Sequence, residues 1–154
     1  MQCGDGPPAL VGVEWFSHKG VWLFYGSLVL TGRILLGTLL QTEPYVSWTI
    51  VNVVHACITF VTFHWIKGSP FETMWFPGSD RLTWWEQLDM RKQATPNRKF
   101  CVAMVIFLFL VCYEATPLEK RFALLHALNF VVAVVMIVAK LPVMDKVRIF
   151  GINK

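Results

Sequence analysis

Four long apolar stretches account for much of this 154-residue chain and leave little sequence outside them. Only 16% of the residues are charged, whereas an ordinary soluble domain has about 25%. The charges are gathered into a few blocks, which excludes a typical soluble globular domain and also a disordered chain. Since a membrane span needs about 20 mainly apolar residues, the sequence predicts a small polytopic membrane protein.

The apolar stretches predict an all-α fold in which residues 1–154 form a single four-span membrane domain. The predicted transmembrane helices are 21–40, 45–66, 100–115 and 122–139. Pro44 ends any helix before it, so we expect the first two spans to form a tight hairpin. The third run is short, and we expect Arg98 and Lys99 to snorkel at its end.

The basic residues predict how these helices are oriented. Segments 1–20, 67–99 and 140–154 hold 11 of the 14 Lys and Arg residues, and the connections on the other side hold two. By the positive-inside rule both termini and the middle segment 67–99 are cytoplasmic. We expect no nucleic-acid partner, because the bases flank apolar stretches and no recognisable binding motif accompanies them.

The middle segment 67–99 is the largest polar region of the chain. Its first half is rich in Gly and Pro and is predicted to be a loop. A short amphipathic helix is predicted to begin at Ser79 or Asp80. Its apolar face would carry Leu82, Trp85 and Leu88. Such a face suits the lipid headgroup level or a partner protein.

Polar residues recur at spacings of three and four within two of the predicted spans. In the second span they are Trp48, Asn52, His55, Thr59 and Thr62, and in the fourth His126 and Asn129. This spacing puts each set on one helix face. Because polar groups in hydrocarbon need partners, we expect these faces to meet each other or another protein.

Arg33 is the costliest residue within a span, at about 2.5 to 3.5 kcal/mol near a helix centre. We expect its side chain to reach toward the far membrane interface. Pairing with Glu43 in the hairpin, or contact with a partner helix, are the alternatives.

Neither a metal site nor a catalytic residue is predicted. His55 and His64 are nine residues apart, which puts them on different helix faces. The four cysteines form no CxxC pair and three lie in apolar runs, where a thiol acts as a small hydrophobe. A lipid-metabolising enzyme that uses Asn52, His55 and His126 is one alternative function. A purely structural assembly scaffold is another.

Several segments, in order, resemble the ORM/ORMDL family, and its plant-type members in particular. They are His64-Trp65-Ile66-Lys67-Gly68-Ser69-Pro70-Phe71, Thr83-Trp84-Trp85-Glu86-Gln87 with Asp89, Asn97-Arg98-Lys99-Phe100, and Val147-Arg148-Ile149-Phe150-Gly151-Ile152-Asn153-Lys154. The resemblance covers nearly the whole chain from Glu14 onward. It implies a four-span endoplasmic reticulum protein with cytoplasmic termini and no catalytic chemistry. Such proteins bind serine palmitoyltransferase, which condenses serine with an acyl-CoA, and restrain it when sphingolipid is plentiful.

The resemblance also implies where contacts with lipid and partner would lie. In the family the N-terminal segment reaches toward the enzyme's substrate tunnel, and bound ceramide holds it there. The family's ceramide-contacting asparagine falls at Gly12, so that role is not carried over and would pass to backbone groups near Gly12 and to Trp15 and Trp22.

The candidate contact residues form two groups. Candidate lipid or partner contacts are Gly12, Trp15, Trp22, Asn52, His55, Thr62 and Phe63. The candidate cytoplasmic partner surface is Trp84, Trp85, Glu86, Gln87, Asp89, Arg148 and Phe150. Expected partners are the serine palmitoyltransferase subunits and membrane lipid, and no cofactor is expected apart from bound ceramide or another sphingolipid.

Overall fold

In a computed structural model, which describes residues 14–68 and 81–147, the described residues are mostly helical. The helices are α1 (Val21–Leu39), α2 (Pro44–Thr59), α3 (Trp84–Gln87), α4 (Pro96–Ala115) and α5 (Ala123–Lys140). α2 continues into a π-helical segment, Phe60–Trp65. Apart from one isolated bridge between Lys67 and Thr83, the described residues form no β-structure. The predicted all-α class is therefore confirmed.

Three segments are long and apolar enough to cross a membrane. They are α1, Pro44–Trp65, and Lys120–Lys140, which is α5 with the short 3-10 turn before it. α4 has 20 residues but carries Arg98 and Lys99 near its start and Glu114 near its end. The chain is thus a helical membrane protein with three such segments in its described part, and a fourth span through α4 stays a prediction.

Local sequence explains where the helices begin. Pro44 and Pro96 occupy the first turns of α2 and α4, where a backbone N–H has no helical acceptor and proline is favoured. The Thr95 side chain accepts a hydrogen bond from the Arg98 N–H and caps α4.

The helix of the middle segment begins later than predicted. Thr83 and Glu86 form a capping box in which each side chain accepts from the other residue's backbone N–H. This reciprocal pair starts α3 at Trp84. α3 is one turn long, and a 3-10 turn, Leu88–Arg91, follows it. Ser79 and Asp80, the predicted starting residues, lie outside the described residues.

α2 is the central helix of the bundle. It packs against α1, α4 and α5, and α4 and α5 also pack against each other. Ala56, Val105, Ala133 and Met136 form the apolar core between α2, α4 and α5. α1 buries none of its residues, so it is the most peripheral of the long helices.

Candidate functional site

A second apolar core lies at the end of the bundle where α2 ends and α4 begins. Its buried members are Phe16, Phe63, Trp85, Leu88 and Cys101, and we call them the Trp85 cluster. They come from four separate parts of the chain: the segment before α1, the π-helical segment, α4, and α3 with the 3-10 turn after it (residues 84–91), which we call the α3 region. The cluster therefore joins the middle segment to the membrane-spanning bundle.

Arg98 holds the α3 region against α4. Its Nη2 donates to the carbonyl oxygens of Trp85 at 2.8 Å and Leu88 at 3.4 Å, and its Nη1 donates to Gln93 Oε1 at 2.9 Å. The guanidinium also lies 4.9 Å from the centroid of the Trp85 ring. With 5% of its surface exposed, Arg98 does not snorkel as predicted. It is buried because α3 and the turn after it supply carbonyl acceptors that lipid cannot offer.

Glu86 and Gln87 connect distant segments through buried hydrogen bonds. Glu86 Oε2 accepts from the Thr83 N–H at 2.8 Å, and Oε1 accepts from the Lys146 N–H at 2.9 Å. Gln87 Nε2 donates to the Gly68 carbonyl oxygen at 2.8 Å. These two side chains thus tie α3 to the end of α2 and to the segment after α5. Of the residues predicted as a partner surface, Trp85, Glu86 and Gln87 are buried within the chain, whereas Trp84 and Asp89 are half-buried.

The segment before α1 is seated on this cluster by Phe16. A short 3-10 helix, Glu14–Ser17, puts the Phe16 ring in contact with the ring of Phe63, with 6.0 Å between centroids. Phe16 has 0% of its surface exposed, although it belongs to a polar stretch of sequence. Glu14–Ser17, the first residues that the structure describes, are therefore fixed in position on the bundle.

Hydrogen bonds at the start of α1 strengthen this attachment. Trp22 Nε1 donates to Asn97 Oδ1 at 2.9 Å, and Asn97 Nδ2 donates to Asp89 Oδ1 at 2.7 Å. The Trp22 ring stacks on Phe100, with 4.9 Å between centroids and 3° between planes. Trp22 and Asp89, which come from the two predicted groups of site residues, are thus linked through Asn97.

The polar faces of the second and fourth predicted spans do meet, as expected. Asn52 Nδ2 donates to Asn129 Oδ1 at 2.9 Å, and Asn129 Nδ2 donates to Thr49 Oγ1 at 3.0 Å. The other polar residues have different partners. His55 Nε2 bonds the Tyr25 hydroxyl, Thr62 Oγ1 donates to the Ile58 carbonyl oxygen, and His126 Nε2 bonds the Pro117 carbonyl oxygen.

A groove of about 510 Å³ opens between α1 and α2, and we call it the α1–α2 groove. Its lining is aliphatic apart from a few residues near one end, where Tyr25 and His55 bond each other. The lining residues are Tyr25, Leu28, Val29, Gly32, Leu35, Leu36, Ile50, Val51, Val54, His55, Ile58 and Thr59.

The structure brings some of the predicted site residues together and leaves others apart. Phe63 belongs to the Trp85 cluster, and Trp15 packs at its edge. Asn52 and His55 are on α2 but bond different helices. Gly12, Arg148 and Phe150 lie outside the described residues.

Sequence reasoning missed Phe16 and Asn97 as parts of the site. The only signal for Phe16 was a pair of adjacent aromatic residues, Trp15-Phe16, in a polar stretch five residues before α1. Asn97 gave no signal beyond its place in a family segment, because its partners Trp22 and Asp89 are distant in the sequence.

The site is a junction between separate segments of the chain. Within residues 14–68 and 81–147, no group of three or more His, Cys, Asp or Glu side chains is placed to hold a metal ion. The buried polar groups of Thr83, Glu86 and Gln87 are occupied in joining segments of the chain. Fold and site define a helical membrane protein in which residues 84–91 of the middle segment and the segment before α1 are packed on one end of the bundle.

The chain belongs to the ORMDL family, whose sequence profile matches residues 11–148. It is 36% identical to human ORM1-like protein 2 over 142 residues, which cover 90% of this chain and 88% of that protein. Its identity to mouse ORM1-like protein 3 is also 36%, over 143 residues and the same shares of the two chains. An uncharacterized protein of Schizosaccharomyces pombe is 34% identical over 92% of this chain and 74% of its own length. Membership of this family supports a regulatory role.

Proposed function

We propose that this chain is a non-catalytic regulatory subunit of the endoplasmic reticulum membrane, with both termini cytoplasmic. It binds serine palmitoyltransferase and restrains it when ceramide is plentiful, which controls sphingolipid synthesis. The observation that carries the proposal is the docking of the pre-α1 segment on the Trp85 cluster through the fully buried ring of Phe16. A subunit that acts through its N-terminal segment needs that segment to begin from a fixed point.

The docked segment gives residues 1–13 a defined origin. Thirteen extended residues reach at most about 45 Å, which is enough to extend from the bundle into a neighbouring subunit. Fixing the base of such an arm raises its effective concentration near the surface beside it. The restraint therefore depends on both the arm and its anchor, and the ring of Phe16 is the anchor.

The geometry disfavours the alternative of a lipid-metabolising enzyme. Such an enzyme would need Asn52, His55 and His126 around one substrate, but each side chain bonds a different partner. Asn52 bonds Asn129, His55 bonds Tyr25, and His126 bonds the carbonyl oxygen after the end of α4.

The experiment is co-purification of the full chain with serine palmitoyltransferase, followed by assay of condensation activity with and without added ceramide. We expect the chain to co-purify and to lower activity further when ceramide is added. The Phe16→Ala variant should still co-purify but lose most of the restraint, because its arm no longer starts from a fixed point.

Phe24→Ala is the matched control, since Phe24 is on α1 with 67% of its surface exposed, and it should restrain the enzyme as the parent chain does. Absence of co-purification would overturn the proposal. Co-purification with activity that ceramide and Phe16→Ala both leave unchanged would favour the scaffold alternative instead.

A further inference from the structure

Arg33 is a charged residue within a membrane-spanning helix, and the described part of the chain offers it no anion. Its guanidinium lies 5.6 Å from the centroid of the Trp48 ring. It makes no ion pair with Glu43, and its Nε is buried without an acceptor among the described residues. A charge in this position requires a compensating partner.

The side chain is directed toward the end of α1 that leads into α2. A Cβ atom on Gly37, one turn further along α1, would collide with Nη1 of Arg33. Helical side chains normally lean toward the N-terminus, so Arg33 is turned the opposite way. Its guanidinium therefore approaches the membrane boundary beside the α1–α2 connection, which is the level of lipid headgroups.

The α1–α2 groove begins beside this guanidinium. Arg33 lies one turn after the groove residue Val29 and one turn before Leu36, and Trp48 lies one turn before the groove residue Val51, so both adjoin the lining on their helix surfaces. On α1 the groove extends from Leu36 to Tyr25, which corresponds to about 16 Å of helix. That length is about half of a bilayer's 30 Å hydrocarbon core, so it suits one chain that enters from one leaflet.

The width of the groove decides between a lipid chain and a protein helix. A volume of about 510 Å³ over about 16 Å gives a mean cross-section of about 30 Å². An α-helix about 10 Å across occupies about 80 Å². The groove holds less than half of a helix's cross-section, whereas its depth and aliphatic walls suit an extended hydrocarbon chain.

We propose that the α1–α2 groove and Arg33 together bind one phosphate-bearing membrane lipid of the leaflet at which α1 ends. One acyl chain occupies the groove, and the phosphate pairs with the guanidinium beside Trp48. Charge complementarity selects a phospholipid over a neutral lipid. The Tyr25–His55 hydrogen bond closes the far end of the groove. Each of these two polar groups thus has a hydrogen-bond partner within the chain. This site is independent of the proposed action on serine palmitoyltransferase.

Two glycines of α1 provide a matched pair of variants. A Cβ atom at either Gly26 or Gly32 would meet nothing within 4 Å, but only Gly32 lines the groove. Leucine is a stronger helix former than glycine, so neither substitution is expected to disrupt the fold. Gly32→Leu fills the groove, whereas Gly26→Leu adds the same side chain elsewhere on α1.

The test is native mass spectrometry of the purified full chain equilibrated with phosphatidylcholine or with diacylglycerol, which has two acyl chains and no phosphate. The parent chain should retain phosphatidylcholine about tenfold better than diacylglycerol, because a hydrogen bond to a charged group contributes about one decade in affinity. Gly32→Leu should lose most of the bound phosphatidylcholine, and Gly26→Leu should keep it. Arg33→Gln should lose the preference for phosphatidylcholine over diacylglycerol.

If Gly32→Leu and Gly26→Leu retained equal amounts of phosphatidylcholine, lipid binding in the groove would be refuted. If Arg33→Gln kept the lipid preference of the parent chain, the phosphate contact would be refuted. A further measurement uses the unaltered chain and therefore does not depend on whether the variants fold. Phosphatidylcholine with a photoactivatable group on one acyl chain should cross-link to peptides that line the groove. Cross-links confined to other surfaces would overturn the proposal even if a variant failed to fold.

Discussion

Replacing Arg98 with methionine should release the α3 region from the bundle while leaving the membrane-spanning helices folded. The change removes three donated hydrogen bonds and leaves the Trp85 and Leu88 carbonyl oxygens without this donor. Each buried group left unpaired costs about 1 to 3 kcal/mol. Removing a buried charge recovers part of that cost, so we expect a net loss of about 2 to 4 kcal/mol. Because 1.36 kcal/mol is a factor of ten, local opening should become about 30 to 900 times more frequent.

Hydrogen exchange measured by mass spectrometry tests this value. In Arg98→Met, amides of the α3 region should exchange faster by about the factor above, whereas amides of α5 should be unaffected. Arg121→Met is the control, since the Arg121 side chain is 70% exposed and its ion pair with Glu119 lies at the surface, where such pairs contribute little. Unchanged exchange in the α3 region, or equal acceleration in every helix, would refute the assignment of Arg98 as a local clamp.

Three further changes test other parts of the structure. Asn52→Leu and Asn129→Leu should each lower the free energy of unfolding in mixed micelles by about 0.6 to 1.7 kcal/mol. Because the two residues share a hydrogen bond, the double variant should lose less than the sum of the two single losses. Losses that add strictly would argue against that bond. Thr83→Val removes the helix cap and should destabilise the α3 region by about 1 kcal/mol. Hydrogen exchange should then be faster in the α3 region, and unchanged exchange would show that the capping box is unimportant. Gly37→Ala should push the guanidinium of Arg33 away from Trp48 and thereby change tryptophan fluorescence. This change must be absent in a Trp48→Phe background.

The sequence was informative wherever burial in lipid dictates composition. Apolar runs fix helices in a membrane because every backbone polar group must bond within its own segment. The spacing of Asn52 and Asn129 showed which helix faces seek polar partners, and these two side chains do bond each other. The sequence predicts that Arg33 reaches toward an interface, and in the structure its side chain is directed toward the C-terminal end of α1 and contacts Trp48.

Sequence reasoning failed where distant segments complete each other's hydrogen bonds. Arg98 resembled an interfacial base because its acceptors, the carbonyl oxygens of Trp85 and Leu88, are not visible as a side-chain pattern. Phe16 lies in a polar stretch, and its burial depends on a cavity formed by the ends of α2 and α4 with the α3 region. Contacts of this kind join residues that are distant in the sequence, so the periodicity of a single helix does not predict them.

The central claim is that this chain restrains serine palmitoyltransferase through an N-terminal arm anchored at Phe16. The most direct measurement compares the full chain with a chain trimmed of residues 1–13, each assembled with the enzyme and assayed across a ceramide titration. The account predicts equal assembly, with activity falling as ceramide rises only for the full chain. Equal restraint by the full and trimmed chains, at every ceramide level, would contradict it.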